Sequence, residues 1–249
     1  MSSPQLSIVI PLRDERENLF PLWNELDAAL RSSRWTYEII WVDDGSTDGS
    51  REVLREIAAG SGRCTLILLD RTHGQTAALD AGFRAAQGEI VATLDADLQS
   101  NPADLLSMMD SLGTLDALVG YRIRRDDPAW RRWLSRVANA VRNRVLRESI
   151  RDTGCSLKLF RRECLERLKL YDGMHRFLPS LLAMEGFRVG EIGVGHRPRH
   201  KGRSKYGPAS RLLGPILDLL AVRWMKTRRL GYRATALRGK GTERNSRVG

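Results

Sequence analysis

The sequence predicts an α/β fold, a Rossmann-like and mostly parallel sheet with helices on both faces, to which basic amphipathic helices are attached. Three observations predict it. Apolar runs of strand length alternate with helical patterns through the first 95 residues, the arrangement that builds parallel strands joined by crossover helices. Charged residues gather directly after those runs, at Asp14-Glu15, Asp43-Asp44, Arg71 to His73 and Asp95 to Asp97. That is where an open α/β sheet binds its ligands. After residue 120 the apolar positions recur at helical spacing on a segment otherwise filled with arginine.

In chain order, Leu6 to Ile10 reads as a buried strand ended by Pro11, followed by a helical pattern at Leu19, Leu22, Trp23, Leu26 and Leu30. Tyr37 to Val42 is the next strand and stops at Asp43-Asp44-Gly45. Gly45 and Gly49 supply a tight turn, and Ser46, Thr47 and Asp48 offer N-caps to a helix through Val53, Leu54 and Ile57. Thr65 to Leu69 is a third strand, and Thr76 to Ala86 a helix with small residues on one side. Glu89 to Leu94 is a fourth strand, running into Asp95-Ala96-Asp97-Leu98-Gln99. From Trp130 to Leu146 the apolar positions 130, 133, 134, 137, 138, 141 and 145 form a helical stripe, with arginine over most of the other face. A short α/β portion follows, with strands at Ser156–Phe160 and Val189–Val194 and a helix over 177–186. There are no internal repeats. The expected division is one α/β domain over 1–210, in halves 5–120 and 121–210, followed by an amphipathic helix over 211–229 and a basic, mobile tail over 230–249.

Composition narrows the possibilities. A chain of 249 residues with 42% apolar content can bury one good-sized core, so disorder is not the default. Cys64, Cys155 and Cys164 are odd in number and at no metal-ligand spacing, which suits a reducing compartment and argues against a disulfide scaffold. The first residues have no basic region followed by an apolar run, so no secretory leader is expected. The longest apolar candidate, Leu212 to Met225, contains Gly214, Pro215, Asp218 and Arg223 and should not span a bilayer. The net charge of +11 is concentrated: residues 226–249 hold eight Lys/Arg against one Glu, and residues 130–151 seven Arg against one Glu. The rest of the chain is close to neutral. Charge placed this way, with only 6% aromatic residues, argues against nucleic acid and for an anionic membrane surface or a phosphorylated substrate.

The acidic motif carries the sharpest chemistry. Asp95 and Asp97 flank one small residue, so their carboxylates can converge on one cation, and Gln99 adds a neutral oxygen. An oxygen set of this kind suits Mg²⁺ or Mn²⁺, which completes its coordination with waters and substrate phosphates. The bland alternative is a pair of solvated turn aspartates. Asp43 and Asp44 sit where a nucleoside would cross the first two strands, with helix capping as the competing role, and Glu15 has the same two readings. His73-Gly74-Gln75 offers a flexible backbone for close approach to a donor, with Gly74 as its pivot. His196 and His200 are four apart, but the flanking prolines and arginines argue against a zinc pair.

Pro11 to Leu19, Val42-Asp-Asp-Gly-Ser-Thr-Asp48 and Asp95 to Gln99 with Pro102 resemble the family 2 glycosyltransferases of GT-A fold, and within them the dolichol-phosphate mannosyltransferase and polyprenyl-phosphate glycosyltransferase group. The resemblance runs from about residue 5 to about 225, and its most specific part is the string from Asp95 to Gln99. It implies a nucleotide-diphospho-sugar donor (UDP- or GDP-linked), a divalent metal and inversion at the sugar carbon. By the same resemblance Pro11, Glu15 and Asp44 contact the nucleoside, and Asp95, Asp97 and Gln99 surround metal and diphosphate. One departure is Arg13-Asp14, where the family more often has an aromatic or Thr followed by Asn.

In the second half, Gly120-Tyr-Arg122 resembles the family's Gly-x-Arg, and Arg131 with Ser135-Arg136 its Arg-x-x-x-Ser-Arg; these groups are expected to grip the phosphates of donor and acceptor. An anionic acceptor beside an anionic donor needs positive charge to hold both. For Arg131 the alternative is a solvated helix face. Asp152 to Ser156 matches the place where relatives bind sugar or acceptor; Asp152 could act as a base toward a hydroxyl, whereas an already ionised phosphate needs none. Arg199 to Tyr206, with Ser204 and Lys205, resembles a Gly-hinged basic loop that closes over phosphates. The helices 130–147 and 208–229 both pair an apolar stripe with Arg/Lys, as helices lying in a membrane interface do. Alternatively, each packs its stripe on the core.

These readings converge on an enzyme that transfers a sugar to a polyprenyl (dolichyl- or undecaprenyl-type) phosphate, cytoplasmic and peripheral on the inner membrane face or working with a separate integral membrane partner. The alternatives are direct transfer to a hydroxyl of a glycan or lipid, and a non-enzymatic nucleotide- or membrane-binding module.

Overall fold

The structure, a computed structural model, describes residues 3–123, 129–198, 213–230, 234–238 and 242–246. The first half alternates as expected: β1 (Leu6–Leu12), α1 (Arg16–Arg31), β2 (Tyr37–Asp43), α2 (Ser50–Ala59), β3 (Cys64–Leu68), α3 (Gln75–Ala85) and β4 (Ile90–Thr93). Next come α4 (Ala103–Ser111), β5 (Ala117–Arg122), α5 (Ala129–Leu146), β6 (Lys158–Arg161) and α6 (Arg162–Glu166). A 3₁₀ turn (Met174–Phe177), α7 (Leu178–Met184), β7 (Val189–Val194) and α8 (Leu213–Arg228) follow. The sequence reading passes over α4 and β5. Each is short, and β5 offers only Ala117 to Val119 as an apolar run before Gly120.

Seven strands form one sheet in the order β3-β2-β1-β4-β6-β5-β7. β1, β2, β3 and β4 pair in parallel, β5 and β7 likewise, and β6 runs antiparallel to both β4 and β5. β1 is buried along its whole length, because helices cover both faces. On one face Leu6, Ile8 and Ile10 meet α1, α2 and α4 through Leu22, Leu26, Leu54 and Leu105. On the other, Val9, Ile40 and Val91 meet α3 and α7 through Leu79, Phe83 and Leu182.

Two features of this topology set up a site. Pro11 does not end β1 but lies within it, in register with Val42. A proline has no ladder N–H, and here none is missed on the β4 side, since the β1–β4 register ends at Val9 and Thr93. The two strands part there and open a crevice at the point where the strand order reverses. The second feature is β6. Because it is antiparallel to its neighbour β5, the whole connection from residue 123 to residue 157, including α5, starts and ends at the ligand end of the sheet.

α8 packs on α5 and on the turn before α7, with Leu146, Met174, Phe177, Leu181, Met184 and Val222 buried together. Much of the apolar stripe on these helices is nevertheless uncovered: Trp133, Val137 and Val141 on α5, and Ile216, Leu217, Leu220 and Trp224 on α8, are exposed. No described helix is long and apolar enough to cross a membrane. The tail read as aperiodic contains an antiparallel pair, β8 (Ala234–Arg238) with β9 (Thr242–Ser246). The two strands are too short to register as a pattern and become recognisable only once paired.

Candidate active site

At the crevice, β4 delivers the acidic motif. Leu98 adopts φ +62°, a left-handed backbone that a leucine rarely takes and that marks a turn held by its surroundings. The Gln99 amide donates to Asp97 Oδ1 at 3.2 Å, closing the turn on itself. Asp97 is 7% exposed, and Asp95 is half-buried and accepts a 3.0 Å hydrogen bond from Gln75 Nε2 on α3. Gln99 directs its amide nitrogen to the Arg197 carbonyl at 3.3 Å and lies 3.4 Å from His196 Nε2. Among the described residues no cluster of three or more Asp, Glu, His or Cys could hold a metal by itself. Two carboxylates and an amide are a partial oxygen set, the kind Mg²⁺ and Mn²⁺ complete with phosphate oxygens and water.

The loops after β1 and β2 frame the nucleoside side. Asp44 clamps the loop before α3, accepting from the backbone amides of His73 at 2.6 Å and Gly74 at 2.9 Å. Gly74 takes φ +93° there, and Gly45 takes φ +73° with space for no side chain: a Cβ would stand 2.6 Å from the Thr72 nitrogen. Asp14, also left-handed at φ +47°, accepts from the Thr47 amide at 2.8 Å. Glu15 accepts from Asn18 Nδ2 at 2.6 Å. Asp43, also a candidate donor contact, is fully buried, and its carboxylate takes Arg51 Nε at 2.6 Å and the Ser46 amide. In this arrangement it shapes the loop, the competing role read from the sequence.

On the far side of β6 the chain joins two residues that the sequence treats separately. Arg122, at the end of β5, grips Asp152 with two hydrogen bonds, Nε to Oδ2 at 2.6 Å and Nη2 to Oδ1 at 2.9 Å. The side chains are 15% and 9% exposed, so this is a fork-to-fork pair shielded from screening. Arg142 ties the Asp152 segment to α5, reaching Glu148, Thr153 and the Ile150 carbonyl. Ser135 lies on α5, as does Arg131, whose side chain falls outside those described. Arg199, Ser204 and Lys205 lie outside the described residues altogether.

Two residues beside the site escaped the sequence reading, and a third, Gln75, was read only as part of a flexible loop, whereas its side chain supports Asp95. His196, dismissed as half of a zinc pair, comes against Gln99 instead. Lys158 is a buried cation between the two halves; a lysine inside an apolar strand was a signal available in the sequence. His175, between α3 and α8, meets Thr76 Oγ1 at 2.8 Å. Burial first, then the charges of Arg176 and Lys158, push its pKa from the ordinary 6.5 down to about 3.

Known proteins resemble the chain in sequence and in fold. The model of the glycosyl transferase family 2 matches residues 7–169. A dodecaprenyl-phosphate galacturonate synthase of Rhizobium johnstonii is 40% identical over 228 residues, covering 89% of this chain and 67% of the relative. An undecaprenyl-phosphate 4-deoxy-4-formamido-L-arabinose transferase of Pseudomonas fluorescens is 38% identical over 218 residues, covering 86% and 63%. The chain thus spans about two thirds of the length of the curated relatives it matches. In fold it is similar to a mannosyltransferase from Pyrobaculum calidifontis in complex with GDP-Man and Mn²⁺ (TM-score 0.61, 23% identity, 93% of this chain and 66% of that one). It is also similar to glucosyl-3-phosphoglycerate synthase from Mycobacterium tuberculosis with Mn²⁺, UDP and phosphoglyceric acid (TM-score 0.67, 16% identity, 99% and 88%). With the family model covering well over half its length, and with the crevice, acidic turn and mostly parallel sheet in place, the chain belongs to glycosyl transferase family 2.

Proposed function

We propose that the protein transfers a sugar, with inversion, from a nucleotide-diphospho-sugar to a polyprenyl phosphate at the cytoplasmic face of a membrane. The observation that carries the acceptor class is the Arg122–Asp152 pair. A hydroxyl acceptor needs a base, and the carboxylate best placed to be one is bound on both oxygens by a guanidinium. A phosphate acceptor is already ionised and needs none. The relatives named for dodecaprenyl and undecaprenyl phosphate support the same class.

Asp95, Asp97 and Gln99 are the residues to hold Mg²⁺ or Mn²⁺, and that cation, when bound, offsets the charge gathering on the departing nucleoside diphosphate. The Asp44-clamped loop and Glu15 line the nucleoside. An acceptor phosphate oxygen attacks the anomeric carbon as the bond to the diphosphate breaks. Arg122, with Arg131 and Ser135 on α5 and the basic residues Arg199 and Lys205 beside Ser204, offsets repulsion between the two anionic substrates. The exposed Trp133, Leu217 and Trp224, together with nearby Arg136, Arg223 and Arg228, suit a helix pair lying in an anionic membrane interface.

The test is incubation with labelled UDP- and GDP-sugars, Mg²⁺ or Mn²⁺ and undecaprenyl phosphate, followed by identification of the lipid product. A lipid-linked sugar that needs the cation is expected. Transfer to a glycan or lipid hydroxyl instead, abolished by Asp152→Asn, would overturn the acceptor assignment. Independently, the protein should bind anionic liposomes at low salt and release them as salt rises; indifference to them at low salt would remove the membrane reading.

A further inference from the structure

Among the described residues only two basic side chains are buried, Arg142 and Lys158. They are held very differently. Arg142 reaches Glu148, Asn139, Asn143, Thr153 and the Ile150 carbonyl, a set that accounts for most of its donors. Lys158 is 6% exposed and, among the described residues, makes one hydrogen bond, from Nζ to the Cys155 carbonyl. An ammonium has three donors, and burying one without a full set of partners carries a large desolvation cost. Core packing alone would favour an apolar residue here, on a strand whose other buried members are Leu159 and Phe160.

The position of Lys158 offers the reason. β6 lies between β4 and β5, and Lys158 is in register with Thr93 on one and Val119 on the other. Two residues beyond Thr93 is Asp95; three beyond Val119 is Arg122. The segment just before β6 carries Asp152. Burial depresses the pKa of the Lys158 ammonium; Cys155, Asp95 and Asp152 act against that shift and Arg122 adds to it. The ammonium therefore sits under the junction of three chain segments that approach the site from different directions.

We propose that Lys158 is a positioning residue for sugar transfer: its buried ammonium fixes the Asp95 carboxylate of the donor side and the Asp152–Arg122 pair of the acceptor side relative to each other. The ammonium touches neither substrate. It acts by supplying one positive charge shared between two carboxylates that belong to different halves of the sheet, so that donor and acceptor are held at reacting distance. The inference rests on the transfer reaction proposed above.

The test compares Lys158→Met, close in length and uncharged, and Lys158→Arg, which keeps the charge, with the wild type. Three measurements are made: thermal melting, calorimetric binding of UDP or GDP with Mn²⁺, and steady-state transfer. For Lys158→Met the expected result is a melting temperature at or above wild type, nucleotide affinity within about threefold, and kcat lower by about 30-fold, the range typical of groups that hold a site's ligands in place. Lys158→Arg should recover several-fold of that loss. The proposal is overturned if Lys158→Met keeps wild-type kcat, if it unfolds, or if its loss of rate is matched by an equal loss of nucleotide affinity. A wild type that binds nucleotide and Mn²⁺ yet transfers no sugar to lipid phosphate would refute the underlying reaction, and this inference with it.

Discussion

The donor half and the acceptor half of the sheet differ in how they hold the charged groups nearest the crevice. Around β1, β2 and β4 the carboxylates at the crevice draw on nearby backbone amides or neutral side chains, Asp44 on His73 and Gly74, Asp14 on Thr47 and Asp95 on Gln75, while the buried Asp43 behind them pairs with Arg51 and Asp14 also lies 3.4 Å from Arg13. Around β5 and β6 the charges hold one another, Arg122 with Asp152 and Arg142 with Glu148. A carboxylate held by amides keeps its negative charge for a cation. A guanidinium held by a carboxylate has half its charge answered before any ligand arrives. The donor side thus resembles a preformed cradle for a metal–diphosphate, and the acceptor side a balanced pair that an incoming phosphate must share.

That contrast can be broken at several points. The largest effect is expected at the donor side, where Asp97→Ala should lower kcat by about 10³-fold, roughly 4 kcal/mol of transition-state stabilisation, with little change in melting temperature. Retention of full, chelator-resistant activity would remove the metal reading. On the acceptor side Asp152→Asn leaves Arg122 without its counter-ion in a site that is 15% exposed. The expected cost is about 3 kcal/mol of stability, seen as a melting temperature lower by roughly 6–12 °C, with turnover retained and the acceptor KM raised. Complete loss of turnover in a folded protein would make Asp152 a base and shift the acceptor to a hydroxyl.

The smallest effect lies where the halves meet, at His175. Its folded pKa of about 3 lies below the unfolded value of 6.5, so the unfolded chain takes up a proton that the folded chain refuses. The His175 contribution is therefore complete above pH 6.5 and declines as pH falls toward 3. At about 1.4 kcal/mol per pH unit, roughly 2 kcal/mol should be lost between pH 6.5 and 5. Denaturant titrations at the two pH values measure it, and His175→Asn should flatten the dependence.

The readability of the two halves differs for the same reason. In the donor half the acidic candidates lie at or just after the ends of parallel strands, so Asp44, Asp95 and Asp97 could be placed from a strand run and the break after it. For Asp43 two roles stayed open, because a dipeptide of two aspartates does not say which one points inward; the contact with Arg51, eight residues on, shows that it is Asp43. In the acceptor half Arg122 and Asp152 are 30 residues apart, and nothing local to either announces the other. Lys158 was passed over because an apolar strand tolerates one polar residue at its edge, and only the strand order shows that β6 has no free edge.

What the sequence determined by itself was the α/β class, the alternation of the first four strands with helices, the acidic turn from Asp95 to Gln99 and the apolar stripe on α5; that part of this stripe is uncovered came from the structure. These are properties of windows a few residues long, where periodicity and turn chemistry act directly on the backbone. Tertiary structure alone decided that β6 runs against its neighbours, that β5 ends and β6 begins at the ligand end, and that Arg122 commits its guanidinium to Asp152. Each depends on which strand lies beside which, and that choice is made by the packing of the whole sheet rather than by any short stretch of chain.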